Sequence, residues 1–199
     1  MKKLLLATNN PGKIAEIGLI LSGVQLELIT PANLGVKLTV PEDGNSYYEN
    51  ALKKAKAFFD TTDMPTLADD SGLEVDALEG APGIHSHRFS PDPHATDSDR
   101  CQYLLSQLRD HPRPWRASFH CEVVLYLEPN RIIRAHGACP GKIISAPRGT
   151  NGFGYDPIFE LEGYSLTMAE ISDQLKGKIS HRARALQTAM TEIIQFSES

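Results

Sequence analysis

The chain has 199 residues, 41% of them hydrophobic and 23% charged, with a formal net charge of -5. This composition describes an ordinary globular protein that needs neither disulfides nor a structural metal to hold a core. It excludes the clustered Lys and Arg of a nucleic-acid or anionic-membrane footprint, although a cleft can still hold a small phosphorylated ligand.

Along the chain, Leu4 to Ala7 reads as a buried strand, followed by the turn formers Asn9, Asn10, Pro11 and Gly12. A helix is expected from near Lys13, with Ile14, Ile17 and Leu21 toward the core, and Val24, Leu26 and Leu28 then alternate as a strand. Ser46 and Glu49 read as a capping box, opening a helix with Tyr48, Ala51, Leu52, Ala55 and Phe59 on its apolar face. Thr66 to Ala68 is expected as a short strand that leaves Asp69 and Asp70 at its end, and Gly80-Ala81-Pro82-Gly83 reads as a turn-rich loop.

Thr96 and Asp99 mark another helix, carrying Tyr103, Leu104 and Leu108. Phe119, Cys121, Val123, Leu125 and Leu127 alternate as one arm of a hairpin, and Arg131 to Ala135 return across Glu128-Pro129-Asn130. A last helix is expected from Ser180, with Leu186, Met190, Ile193 and Ile194 buried. There is no repeat and no low-complexity stretch, so residues 1–199 read as one domain.

Cys101, Cys121 and Cys139 are odd in number and form neither a CxxC pair nor a zinc pattern, which points to a reducing compartment. The apolar run after Lys2 and Lys3 is too short for a leader or a membrane span. The expectation is a cytoplasmic protein with no membrane and no nucleic-acid partner.

Five segments can carry chemistry. Thr8-Asn9-Asn10-Pro11-Gly12-Lys13 is a strand-turn-helix junction that aims backbone N–H groups and one ammonium at a phosphate, or is an ordinary polar turn. It is not a Walker loop, since Ile14 follows the lysine. Asp69-Asp70-Ser71-Gly72, with Glu42 and Asp43 upstream, offers carboxylates for magnesium or for deprotonating water, or is simply solvated. Adjacent side chains on extended chain point oppositely, so Asp69 and Asp70 are not expected to share one role.

Gly152-Phe153-Gly154-Tyr155-Asp156-Pro157 places aromatic faces beside an acid, suited to stacking on a base or to a small apolar cluster. Lys176 and Ser180-His181-Arg182 put cationic donors where a helix dipole prefers an anion, a conflict that a ligand would resolve. His85 and His87, in the fifth segment, read as exposed loop histidines.

Together these segments resemble the inosine triphosphate pyrophosphatase family, the Ham1-like house-cleaning nucleotide hydrolases. The resemblance runs through Ala7 to Lys13, Glu49-Asn50-Ala51, Ala68 to Leu73, Ala81-Pro82-Gly83, Phe153 to Pro157 and Ser180-His181-Arg182, in order and spacing. It implies an α/β protein, a two-lobed fold around a long twisted mixed sheet with a deep cleft between the lobes, and a homodimer. It implies hydrolysis of ITP, dITP and XTP to the monophosphate and pyrophosphate with Mg2+ as cofactor.

By the same resemblance, Thr8, Asn10 and Lys13, with Asn9, Pro11 and Gly12 of that loop, hold the triphosphate. Glu42 and Asp70 bind the metal, Asp70 accepts the proton, and Ser71 contacts substrate. Phe153 and Tyr155, around Gly154, sandwich the base, and Asp156, Lys176, His181 and Arg182 attend to it, with Arg182 suited to a 6-oxo acceptor. Three positions depart from the family pattern: Glu42-Asp43 where two glutamates are usual, His87 where alanine is common, and Leu175 where an acid is usual. A Maf-like pyrophosphatase and a nucleotide-binding regulator without catalysis are the alternatives.

Overall fold

Leu4, Leu5 and Leu6 are all fully buried, which requires cover on both faces of the strand that carries them. In the computed structural model, which describes residues 1–199, this strand is β1 (Lys2–Leu6), and parallel neighbours flank it: β2 (Leu26–Ile29) and β3 (Thr66–Val75). The remaining strands are β4 (Trp115–Glu128), β5 (Arg131–Ile143) and β6 (Phe159–Leu161), and the sheet order is β2-β1-β3-β4-β5-β6. β5 and β6 pair antiparallel, so the sheet is mixed. The helices are α1 (Pro11–Ile20), α2 (Tyr47–Thr62), α3 (Asp97–Leu108), α4 (Asp173–Ile179), α5 (His181–Thr188) and α6 (Met190–Glu198).

The chain forms two units. The first comprises Met1–Asp70, Cys121–Gly137 and His181–Ser199; the second comprises Ser71–His120 and Ala138–Ser180. In the first unit, Leu4, Leu6 and Leu67 pack with Ile17 and Leu21 of the α1 region and Leu186 and Ile193 of α5 and α6. Leu5, Ala7 and Ala68 pack on the other side with Ala51, Ala55 and Phe58 of α2. The two-residue periodicity of the strands thus divides helix from helix. At Gly137 of β5 an added Cβ would lie 2.2 Å from the His181 carbonyl oxygen and 2.3 Å from the Ala185 nitrogen, so α5 rests directly on strand backbone. In the second unit, Leu73, Leu104, Trp115, Phe119, Tyr155 and Phe159 form the centre of a separate core.

Several elements depart from the sequence expectation. α1 begins at Pro11 rather than near Lys13, because proline at the first turn loses no helical hydrogen bond and Asn10 caps Lys13 N at 3.1 Å. β3 does not stop at Ala68: Asp69 and Asp70 lie within a strand of 10 residues, not at a strand end. The final helix is broken into α5 and α6, with Ser180 at the C-terminal cap of α4, and Ile194 is exposed while Phe196 takes the buried place. The Thr96–Asp99 capping box is complete. At α2, Ser46 caps Glu49 N, but the Glu49 carboxylate accepts from Asn45 N at 2.8 Å instead of from Ser46.

Candidate active site

Alternation along β3 decides where its two acids go. Asp69 shares a face with Leu67, which α1 and α5 cover, and Asp70 shares a face with Ala68, which α2 covers. On the first face, Asp69 Oδ2 accepts from Arg182 Nε at 3.2 Å and Nη2 at 2.9 Å, and lies 3.0 Å from Lys13 Nζ. Arg182 Nη1 pairs with Glu16 of α1. Burial opposes ionisation of Asp69, yet the charges of Lys13, Arg182 and Lys54 outweigh it and hold this carboxyl far below the usual carboxylate range. Burial also opposes the charge on Arg182, and Asp69 and Glu16 overcome it and raise its pKa.

On the other face, Asn50 Nδ2 donates to Asp70 Oδ2 at 2.9 Å, while Asn50 Oδ1 accepts from Gly44 N at 2.8 Å. That second bond ties the segment bearing Glu42 to α2. One helical turn on, Lys54 Nζ lies 2.6 Å from Glu42 Oε1, 2.7 Å from the Asp69 carbonyl oxygen and 3.9 Å from Asp70 Oδ1. Burial raises the pKa of Asp70, and Lys54, Lys13 and the Asn50 bond only partly offset it. For Lys54 the balance is reversed: burial favours the neutral amine, but Asp69, Asp70 and Glu42 hold the ammonium and raise its pKa.

Glu42 and Asp70 therefore converge on one cation. Two hard oxygen donors suit a small divalent ion that keeps several waters or phosphate oxygens, although no group of three or more His, Cys, Asp or Glu forms a protein cage.

The loop before α1 spends much of its polarity on itself. Thr8 Oγ1 accepts from Asn10 N at 3.1 Å, and Asn10 Oδ1 caps the helix, so both side chains shape the turn that positions Lys13. Asn9 and Pro11 are exposed and Gly12 is half-buried.

In the second unit, Asp156 Oδ2 accepts from Lys176 Nζ at 2.5 Å and from Phe153 N at 2.9 Å, and Lys176 Nζ lies 4.9 Å from the Phe153 ring centroid. At Gly152, whose φ is 76°, an added Cβ would meet Asp156 Oδ2 at 2.0 Å and Lys176 Nζ at 2.9 Å. Gly154 N donates to Asp97 at the first turn of α3 at 2.7 Å. Ser71, next to Asp70, is half-buried in this unit.

Two expected base contacts look different in the structure. Tyr155 is 3% exposed, with its ring in the core of the second unit and its hydroxyl donating to the Ser86 carbonyl at 2.9 Å, so it presents no open face for stacking. Arg182, expected to face a 6-oxo group, is fully buried in the first unit and committed to Asp69 and Glu16. His181 is buried beside it. The thiols are equally withdrawn: burial, then the charges of Asp97 and Asp156, push Cys101 up to about 12. His85 and His87 are exposed on a 3₁₀ segment.

Asn50, Lys54 and Glu16 carry no role in the sequence reading, and the anchoring of Arg182 by Asp69 is new to the structure. Asn50 had a visible signal: it is an amide on α2 next to the buried Ala51, at the edge of the apolar face.

Residues 4–192 match the Ham1 family. The chain is 45% identical over 192 residues to the dITP/XTP pyrophosphatase of Shigella flexneri, covering 94% of this chain and 95% of that protein. It is 44% identical over 191 residues to the dITP/XTP pyrophosphatase of Vibrio cholerae, covering 94% of each. Among solved structures, a HAM1 protein from Coxiella burnetii superposes with a TM-score of 0.87 at 37% identity over 100% of both chains. With nearly its whole length matched in both sequence and fold, the chain belongs to the Ham1 family.

Proposed function

We propose that this chain hydrolyses the non-standard purine triphosphates ITP, dITP and XTP to the monophosphate and pyrophosphate, removing them from the nucleotide pool, with residues 1–199 acting as one functional domain. The reading is supported by relatives of that activity. The observation that carries it is Asp70, a carboxylate buried on the α2 face and set against Asn50, Lys54 and Glu42.

Water attacks the α-phosphorus, forming a new P–O bond while the bond to the oxygen bridging toward the β-phosphorus breaks and pyrophosphate leaves. Asp70 takes the water's proton; its raised pKa brings it closer to a working base near neutral pH. Lys13 and Lys54 supply positive charge toward the phosphate oxygens, and the loop of Thr8, Asn9, Asn10, Pro11 and Gly12 sets the position of Lys13. Glu42 and Asp70 would hold Mg2+, which when bound neutralises charge on the substrate's phosphates. No covalent protein intermediate is needed.

Base reading falls to the second unit. Phe153 offers a stacking face, and Lys176, fixed by Asp156, is a donor that suits a 6-oxo acceptor and conflicts with the amino group of adenine. Leaving such a donor unpaired costs about 1 to 3 kcal/mol. Ser71 and Gly154 complete the substrate contacts, and Arg182, with His181 before it on α5, acts from the core by holding Asp69. A homodimer is supported by the family resemblance, and a reducing cytoplasm by three buried free thiols. No helix is long and apolar enough to cross a membrane.

The test is a panel of purine triphosphates assayed with and without magnesium, with products separated by chromatography. Inosine and xanthosine triphosphates should yield monophosphate and pyrophosphate in the presence of the ion. Formation of diphosphate and orthophosphate, or equal use of ATP, would reject the assignment.

A further inference from the structure

Lys54 presents its ammonium to Glu42 and Asp70, the two carboxylates assigned to the divalent ion. Its Nζ is 2.6 Å from Glu42 Oε1, 2.7 Å from the Asp69 carbonyl oxygen and 3.9 Å from Asp70 Oδ1, on a side chain only 11% exposed. An ammonium has three donors: two are spent on Glu42 Oε1 and the Asp69 carbonyl oxygen, and Asp70 Oδ1 lies within ion-pair range. Asp70 has its other oxygen fixed by Asn50, so the carboxylate cannot turn away without losing that bond. Lys13, the other nearby cation, is held by Asp69.

We propose that Lys54 is a built-in stand-in for the divalent ion: in the nucleotide-free protein it fills the Glu42–Asp70 pair, and the ion enters with the triphosphate rather than ahead of it. This rests on the assignment of Glu42 and Asp70 as ligands of the ion. A free cation approaching the pair meets a like charge at close range in a partly desolvated site, and it must displace the ammonium without offering it a new partner. A metal–triphosphate complex brings such partners. Its phosphate oxygens are acceptors to which the flexible lysine stem can swing, so the same lysine that screens the empty carboxylates then binds substrate. Waiting carboxylates are thereby kept compensated, and adventitious cations are turned away.

The test is binding of Mn2+ by the full chain, followed by electron paramagnetic resonance, for the wild type, K54M, K54Q and K54R. Without nucleotide, K54M and K54Q should bind the ion about ten-fold or more tightly than the wild type, and K54R should stay weak. With a non-hydrolysable α,β-methylene inosine triphosphate present, the wild type should gain more than K54M, so that the gap between them narrows. Adding D70N to K54M should abolish the gain.

K54Q keeps a hydrogen-bond donor and serves if K54M does not fold. Equal free-ion affinity in the wild type and the two neutral variants overturns the proposal. So does a gap that the analogue leaves unchanged, or tight binding that survives D70N. A wild type that binds ions as described yet hydrolyses no triphosphate would instead reject the proposed function, and hydrolysis with equal ion affinities would reject only the role of Lys54.

Discussion

Arg182→Met should unfold the protein far more readily than it changes base preference. The substitution preserves much of the side chain's length but leaves Lys13 as the one ion-pair partner of Asp69, with Lys54 acting at longer range, and removes the guanidinium partner of Glu16. Removing one member of a buried ion pair costs about 3 to 5 kcal/mol, because the charge left behind stays desolvated. At about 2 to 4 °C per kcal/mol for a chain of this size, the melting temperature should fall by about 6 to 20 °C.

Thermal and urea unfolding of the wild type, R182M, D69N and the double variant form a cycle, and the double variant should lose much less than the sum of the singles. Acidification adds an independent sign. The folded pKa of Asp69 is lowered, so its contribution is present above the unfolded carboxylate range, about 3.9, and is lost as pH falls below it. The gap between the wild type and R182M should shrink in that acid range. A variant that melts within a few degrees of the wild type while losing discrimination between inosine and adenosine triphosphates would show that Arg182 serves the base after all.

Asp70→Asn should lower turnover by about 10² to 10⁴ without lowering the melting temperature near neutral pH. The folded pKa of Asp70 is raised, so its favourable contribution is complete below the unfolded value and is lost as pH rises through the folded one. Any advantage of the asparagine in thermal melts should therefore vanish in acid; a clear loss of stability at pH 7 would contradict the burial account. Gly137→Ala should cost about 1 to 3 kcal/mol by urea unfolding, since its methyl group would drive into the backbone of α5. Lys176→Met should reduce the ratio of kcat/KM for inosine over adenosine triphosphate by about ten-fold, and an unchanged ratio would remove Lys176 from base recognition.

The elements that local chemistry controls were legible. Ser46 and Thr96 each cap a helix, and the apolar face of α2 lies where helical spacing placed it. What escaped depends on neighbours distant in the chain. Asp69-Asp70-Ser71-Gly72 has the composition of a turn, yet β3 continues through it as one ten-residue strand, past the point where its pairing with β1 ends. The basic start of α5 did signal a missing anion, but that anion is the protein's own: Asp69 and Glu16 lie 113 and 166 residues from Arg182. The opposed roles of the two aspartates followed from strand geometry alone. The partner that links Asp70 to Glu42 did not, because Lys54 looks like any helical lysine until the strand beneath it is known.

The back-to-back aspartates make β3 a part that cannot slide. A one-residue insertion between Pro65 and Asp69 would rotate the downstream side chains by half a turn, sending the anchoring acid to α2 and the chemical one into the guanidinium. The same insertion at the Pro129–Asn130 tip between β4 and β5 would displace only exposed chain. Chain length is therefore fixed tightly at one address and loosely at another, and a scan of single-codon insertions through the two segments would register that contrast directly.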